Sequence, residues 1–294
     1  MVSWFKKGQD TFTMKRLLTA TILACFSLLT SAQFTGTVTD EQGVKYTANN
    51  DESTCFVDRS NPTEGATVII PEMYEGRKVV SIAKRAFLSQ LLASVSIPSS
   101  VTTIDERAFY GCTNLTSIVL PNNLTTIGRR AFSNCSALRN IVISGSITSI
   151  TQEIFSGCDA IESIVVDPSN TVYDSRDDCN AIIETASNKL ILGCNHTVVP
   201  VGVTDISSSA FSDFKNTATV SVADGNQVYD SRGNCHGIIR TADNTLVLGF
   251  TNTIIPNSVT AIGNSAFSGC SSLTSINIPD GVNSIGNSAF DGCI

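Results

Sequence analysis

The chain has 294 residues with a formal charge of -7, 15% charged and 7% aromatic residues, two histidines and ten cysteines. Ser and Thr number 68 and Asn 22, which points to many turns and short strands and little helix. The acidic balance excludes nucleic acid as partner, because phosphate binding needs clustered Lys and Arg, and two histidines leave little for acid-base or metal chemistry.

The first element in chain order is an address. From Met14 the sequence reads MKRLLTATILACFSLLTSAQ, two basic residues, an apolar run Leu17–Leu29 and the small residues Thr30, Ser31 and Ala32. This is the layout of a secretory signal peptide, too short for a membrane span, with translation starting at Met14 and cleavage after Ala32. A lipobox-like Ile22-Leu23-Ala24-Cys25 is the weaker alternative, because the apolar run continues through Phe26, Leu28 and Leu29. Removal of residues 1–32 takes Lys6, Lys7, Lys15 and Arg16 against Asp10, so the net charge goes from -7 to -10 in an extracytoplasmic compartment.

From residue 67 onward the chain repeats. Cys112, Cys135 and Cys158 recur every 23 residues, as do Cys270 and Cys293, and Phe109, Phe132 and Phe155, Ile104, Ile127 and Ile150, and Ile118, Ile141 and Ile164 keep the same phase. A fixed period across most of a chain marks a solenoid. In one coil Ile118 and Leu120 alternate with Ser117 and Val119, so a short strand buries one face, and Pro121 ends it. Leu124 and Ile127 return along another side, and Ala131-Phe132 is expected to form a short helical or 3-10 turn that places Phe inside.

Between the two clean blocks the period becomes 56, with VYDSRDDCNAIIETASNKLILGCNHTVVP recurring as VYDSRGNCHGIIRTADNTLVLGFTNTIIP. Subtracting 23 leaves 33 extra residues in each unit, and each insert reads as a hairpin, AIIET against KLILG in the first.

The pattern IPxxVTxIGxxAFxGCxxLTxIxIP resembles the BspA-like leucine-rich repeats, and the VYDSR insert is similar to a variant of that family. The resemblance covers residues 67–294; residues 33–66 resemble the capping segment before a first coil. It implies an α/β horseshoe-type leucine-rich-repeat solenoid, right-handed and strand-rich with short 3-10 or helical turns and two β-hairpin insertions. It also implies a secreted or cell-surface bacterial protein that mediates adhesion to host or matrix proteins such as fibronectin or fibrinogen, with no membrane span in the mature chain, no cofactor and no catalytic residues. The alternatives are a structural spacer or self-assembling coat component, and the non-catalytic part of a larger surface hydrolase.

Other features take plainer readings. Five cysteines share one repeat position, where Gln90 and Phe214 also stand, so the position asks for a small buried side chain and not for a thiol. No CxxC occurs, which argues against zinc; Cys179 and Cys194 flank the first hairpin, where a bridge is optional. His196 and His236 are out of phase with each other and read as surface residues. The twice-occurring Tyr-Asp-Ser-Arg reads as a turn with a packed Tyr and a local Asp–Arg contact. Asp177, Asp178 and Glu184, the non-repeating acids, are weak candidates for catalysis because they sit in an ordinary hairpin.

If the chain binds a partner, the outward strand positions form the surface: Ser117, Val119, Asn140, Val142, Ser163, Val165, Thr219, Ser221, Ser275 and Asn277, a shallow polar strip suited to an extended partner. The chain stops at Cys293-Ile294 before the next strand, from which a truncated solenoid is expected.

Overall fold

The computed structural model describes residues 34–293 apart from Gln152 and Thr217; the secretory address at 1–32 lies outside the described residues. Thr37–Thr39, Lys45–Ala48 and Thr54–Asp58 form an antiparallel meander. Its last strand pairs in parallel with Arg77–Ile82, which pairs with Thr103–Ile104 and then Thr126–Ile127, so the meander feeds directly into a solenoid ladder. Buried Arg77 binds this start of the chain together, donating from Nε to the Phe34 carbonyl at 3.0 Å and from a terminal nitrogen to the Asn49 carbonyl at 3.3 Å.

A second ladder runs along another side of the stack. Thr67–Ile69, Ser94–Ser96, Ser117–Val119, Asn140–Ile143 and Ser163–Val166 form one five-stranded parallel sheet. Register follows the repeat: Val119 faces Val142, which faces Val165. Because side chains alternate along a strand, Val68, Val95, Ile118, Ile141 and Ile164 all turn inward and are buried. A single coil has no second layer against which to bury this face, so stacking neighbours supply it.

The third side corrects the expectation of helical turns at Ala-Phe. Arg85, Arg107 and Arg130 before Ala and Glu153 before Ile154, with Ser89, Gly111, Asn134 and Gly157 four positions on, all have φ between +56° and +75°. A left-handed residue every fourth position rules out an α-helix. Alternate amides instead point along the stack: Phe87 N–H donates to the Ala108 carbonyl, Phe109 to Ala131 and Phe132 to Ile154, at 2.7 to 3.1 Å. The geometry accounts for the Gly in AFxGC, since Gly111, Gly157, Gly269 and Gly292 stand where φ is positive. The Phe side chains do enter the core, as expected. Phe87, Phe109, Phe132 and Phe155 stack with ring centroids 5.2, 5.3 and 5.9 Å apart.

In residues 173–193 Ala181–Glu184 and Lys189–Gly193 pair antiparallel, and Tyr173–Asp174 adds a third strand. Lys189–Gly193 then pairs in parallel with Asp205–Ile206, returning the chain to the stack. Tyr229–Asp230, Ile238–Arg240 and Thr245–Leu248 repeat the arrangement, followed in parallel by Ala261–Ile262 and Ser284–Ile285. The helices among the described residues are two 3-10 segments, Arg176–Asp178 and Arg232–Asn234, each interrupted by a left-handed residue. The result is a strand-rich solenoid with almost no helix.

Candidate binding face

The motifs that invited a chemical reading are consumed by the fold. Tyr173 is buried, and its hydroxyl accepts the Ile150 amide at 3.2 Å. Ser175 accepts the Val166 amide at 2.9 Å, and Ser231 accepts Val222 at 3.0 Å, so each serine closes the end of the preceding strand. Arg176 pairs with Asp174 and reaches Asn188 Oδ1 at 2.9 Å, which clamps the hairpin turn where Asn188 has φ +52°. Arg232, Asp230 and Asn244 repeat the clamp. Burial works on Asp174 against ionisation, but the Arg176 and Thr185 bonds outweigh it and hold its carboxyl below the usual range.

The described cysteines are separate thiols, buried except for half-exposed Cys293. Four of the five ladder thiols donate to the carbonyl of the phenylalanine one coil earlier: Cys112 to Phe87 at 3.1 Å, Cys135 to Phe109 at 3.2 Å, Cys158 to Phe132 at 3.0 Å and Cys293 to Phe267 at 3.3 Å; Cys270 bonds instead to the Gly249 and Lys215 carbonyls at 3.7 and 3.8 Å. Cys179 and Cys194 bond separately to the Ala181 and Asn180 carbonyls. Burial pushes Cys194 up to about 12 and Cys179 up to about 11. Such thiols are poor nucleophiles and poor metal ligands. Among the described residues no three His, Cys, Asp or Glu side chains converge as a metal site.

The carboxylates are spoken for as well. Asp177 and Asp178 lie in the strained 3-10 turn, and Glu184 accepts a bond from Ser187. A cleft of about 190 Å³ has Glu153, Tyr173, Glu184 and Asp213 in its lining. There Glu153 is held ionised by Arg130 and Arg129, while burial raises Asp213. His196 Nδ1 lies 2.8 Å from Thr219 Oγ1.

Of the ten outward positions expected as a surface, six lie in the five-stranded sheet: Ser117, Val119, Asn140, Val142, Ser163 and Val165. Ser221 belongs to a separate two-stranded sheet, where Ser221–Val222 pairs with Val198–Val199; Thr219 precedes it, and Ser275 and Asn277 lie outside any strand. The strip is therefore interrupted, because each long unit sends an extra rung through it. Val198 and Ile254, outward on those rungs, and Ile69 on the first strand were missed; they are 39%, 65% and 59% exposed. The signal was present, since HTVVP and NTIIP end in Pro as SIVLP does.

The face of the five-stranded sheet has two rows. One holds Thr67, Ser94, Ser117, Asn140 and Ser163, and the other Ile69, Ser96, Val119, Val142 and Val165. Neither row carries a charge. Val119 is 77% exposed.

A stack of short parallel strands on a 23-residue period, filled by Ile, Leu and Phe, defines a leucine-rich-repeat solenoid. The BspA-type leucine-rich repeat model matches six copies, over residues 80–179 and 247–294, and the chain belongs to that family. Among solved structures it is similar to the pneumococcal vaccine antigen PcpA, at 18% identity and a TM-score of 0.53, over 90% of this chain and 69% of that one. That likeness shows the shared fold. A leucine-rich cell-surface protein of Faecalibacterium prausnitzii matches at 25% identity and a TM-score of 0.49, over 86% of this chain and 73% of that one. A leucine-rich repeat protein of T. pallidum matches at 26% and 0.43, over 87% and 88%. No curated protein matches the sequence. Among the described residues no helix is long and apolar enough to cross a membrane.

Proposed function

We propose that the chain is a non-catalytic extracellular binding module that engages a protein partner through the face of the five-stranded sheet. The observation that carries this reading is the uncharged double row, because a water-exposed β-face with Val119, Val142, Val165 and Ile69 open to solvent is an apolar surface in search of cover. Contacts spread over five rungs add as many weak terms, without a deep pocket. In this reading the solenoid is a right-handed horseshoe, the two antiparallel units are inserts into the 23-residue phase, and residues 1–32 direct export to the cell surface. The partner is an extracellular matrix or host protein of the fibronectin or fibrinogen kind.

The test is solid-phase binding of the chain to fibronectin, fibrinogen and mucin. Saturable micromolar binding to one of the proteins, abolished by Val119→Glu with Val142→Glu, supports the reading. Saturable binding to none, or binding that the double variant leaves intact, overturns it.

A further inference from the structure

A second surface lies on the turn side of the coils. Five of the nineteen Lys and Arg residues fall between positions 84 and 130, in a chain whose net charge is -7. They occupy two adjacent columns along the stack. The first, Lys84, Glu106 and Arg129, alternates in sign: Lys84 pairs with Glu106 within the column at 2.6 Å, and Arg129 pairs across to Glu153 of the second column at 2.6 Å. The second does not, because Arg85, Arg107 and Arg130 follow one another in register before Glu153 ends the column. Their amides lie on the same inter-coil ladder, Arg85 N–H to Glu106 O and Arg107 N–H to Arg129 O, each 3.1 Å, so the guanidinium stems rise one rung apart, about 4.8 Å.

Like charges at that spacing repel. Glu153 offsets Arg130 through a bond at 3.1 Å, but Arg85 has no ion pair among the described residues. Arg107 reaches Glu106 only at 3.8 Å, and its Nε is buried without a hydrogen-bond acceptor. The Arg107 guanidinium lies over one face of the Tyr110 ring, 5.9 Å from its centroid, and Asn134 Nδ2 holds the tyrosine hydroxyl at 2.8 Å. Tyr110 and Glu106 occupy Arg107 in part, and neither they nor any ion pair among the described residues accounts for exposed Arg85 one rung away.

We infer that Arg85, Arg107 and Tyr110 bind an acidic polysaccharide, with a sulfate or carboxylate group between the two guanidinium forks and a sugar ring resting on the tyrosine. Arginine presents a planar fork matched to an oxyanion, and an aromatic face accepts the apolar side of a pyranose ring. Lys84 beside Arg85 and Arg129 one rung beyond Arg107 stay more than half exposed past their carboxylate partners and meet further anionic groups of the same polymer, which multiplies the attachment.

The experiment is calorimetric titration of the full chain with heparin and with polygalacturonate, which separates sulfate from carboxylate, beside polyphosphate and single-stranded DNA. Binding to one of the two polysaccharides, weakened by salt, is expected. Arg85→Gln with Arg107→Gln lowers that affinity by about tenfold or more at an unchanged melting temperature, the loss expected from charge-assisted bonds. Tyr110→Leu removes the preference for polysaccharide over polyphosphate. Val142→Glu, on the strand face, leaves the binding intact, so failure here and failure of the strand-face reading are distinguishable. The inference is overturned if neither polysaccharide binds, if the double arginine variant binds as tightly as the parent, or if polyphosphate or DNA binds at least as tightly as the polysaccharides.

Discussion

Cys135 donates its thiol hydrogen to the carbonyl of Phe109, one coil earlier, at 3.2 Å. The repeated cysteine is thus more than a small apolar filler, since it gives the buried Phe109 carbonyl, which also takes the Cys112 amide at 3.2 Å, a second donor from the next coil. Removing it by Cys135→Ala loses that bond and a small volume, and is expected to cost about 1–2 kcal/mol in urea unfolding. A variant as stable as the parent would refute the role. In the native chain Ellman's reagent should reach Cys293 and leave the buried ladder thiols untouched, while urea should release them all.

The same thiols set an alkaline limit. Burial raises Cys55 and Cys270 to about 11 in the fold against 9.0 in the free residue. For a group whose pKa is raised on folding, the folded chain holds its proton longer, so the contribution to stability is whole below pH 9.0 and is lost as pH rises through about 11. Urea midpoints measured from pH 8 upward are expected to decline across that window, and less steeply in Cys55→Ala.

Much of the architecture was legible because a solenoid writes its core many times. Ile118, Ile141 and Ile164, or Phe109, Phe132 and Phe155, are the same physical position, so one reading of the period places them all. What escaped were interactions made once or conformations that leave no hydropathy signal. The left-handed Arg85, Arg107 and Arg130 look like ordinary polar residues in sequence, and only their dihedrals exclude a helix. The outward rows were read on the 23-residue units, and so Val198 and Ile254, which arrive through the longer units, went unseen although each precedes the same Val/Ile-Pro ending as the clean strands. Most of the candidate face was therefore visible in the sequence, while its interruption depended on how the hairpins rejoin the stack.

Gln42 illustrates a contact made once. Its side-chain carbonyl accepts the Ile69 amide at 2.9 Å, and its amide donates to the Ile69 carbonyl at 3.1 Å, so one side chain occupies the open edge of the sheet as a further strand would. Unpaired edges recruit other chains. Gln42→Leu keeps the bulk and removes both bonds, and is expected to give concentration-dependent association by light scattering where the parent stays monodisperse. A monodisperse variant would mean that the edge is guarded elsewhere.

Gly193 and Gly249, the last residue of LILG and LVLG, stand against phenylalanine rings of the following coil. A Cβ at Gly193 would lie 2.1 Å from Phe211 Cε1, and one at Gly249 would lie 2.2 Å from Phe267 Cε1. Neither glycine has positive φ, so space and not backbone freedom explains them. Overpacking a filled core costs about 1–3 kcal/mol, and Gly193→Ala and Gly249→Ala are each expected to lose stability in that range. Gly36→Ala differs in kind: a Cβ there meets nothing within 4 Å, and any cost comes from its φ of +82° alone. Equal stability of Gly193→Ala and the parent would show that the rings can yield.

Lys215 is the one lysine among the described buried residues. Its ammonium donates to the Gly249 and Ala266 carbonyls at 3.2 and 3.0 Å and lies 5.6 Å from the Phe250 ring centre, with no carboxylate in its bonding set. Burial lowers its pKa to about 8 from 10.5. The unfolded chain therefore holds this proton between those values and the folded chain does not. The penalty for burying the charge is complete below pH 8 and disappears as pH rises to 10.5, and its size is on the order of 3 kcal/mol. The Ala266 carbonyl keeps the Gly249 amide at 2.9 Å and the Gly249 carbonyl keeps the Cys270 thiol at 3.7 Å, so removing the ammonium strands neither acceptor. Lys215→Met, similar in length and uncharged, is thus expected to be more stable than the parent at pH 7, because a well-packed apolar side chain replaces a buried ion at no loss of pairing. The gap should narrow steadily from pH 8 to 10.5 in parallel urea titrations, a trend that cancels the cysteine effect common to both chains. A Lys215→Met chain less stable than the parent at pH 7 would show that the two carbonyl bonds and the Phe250 ring outweigh the cost of the buried charge.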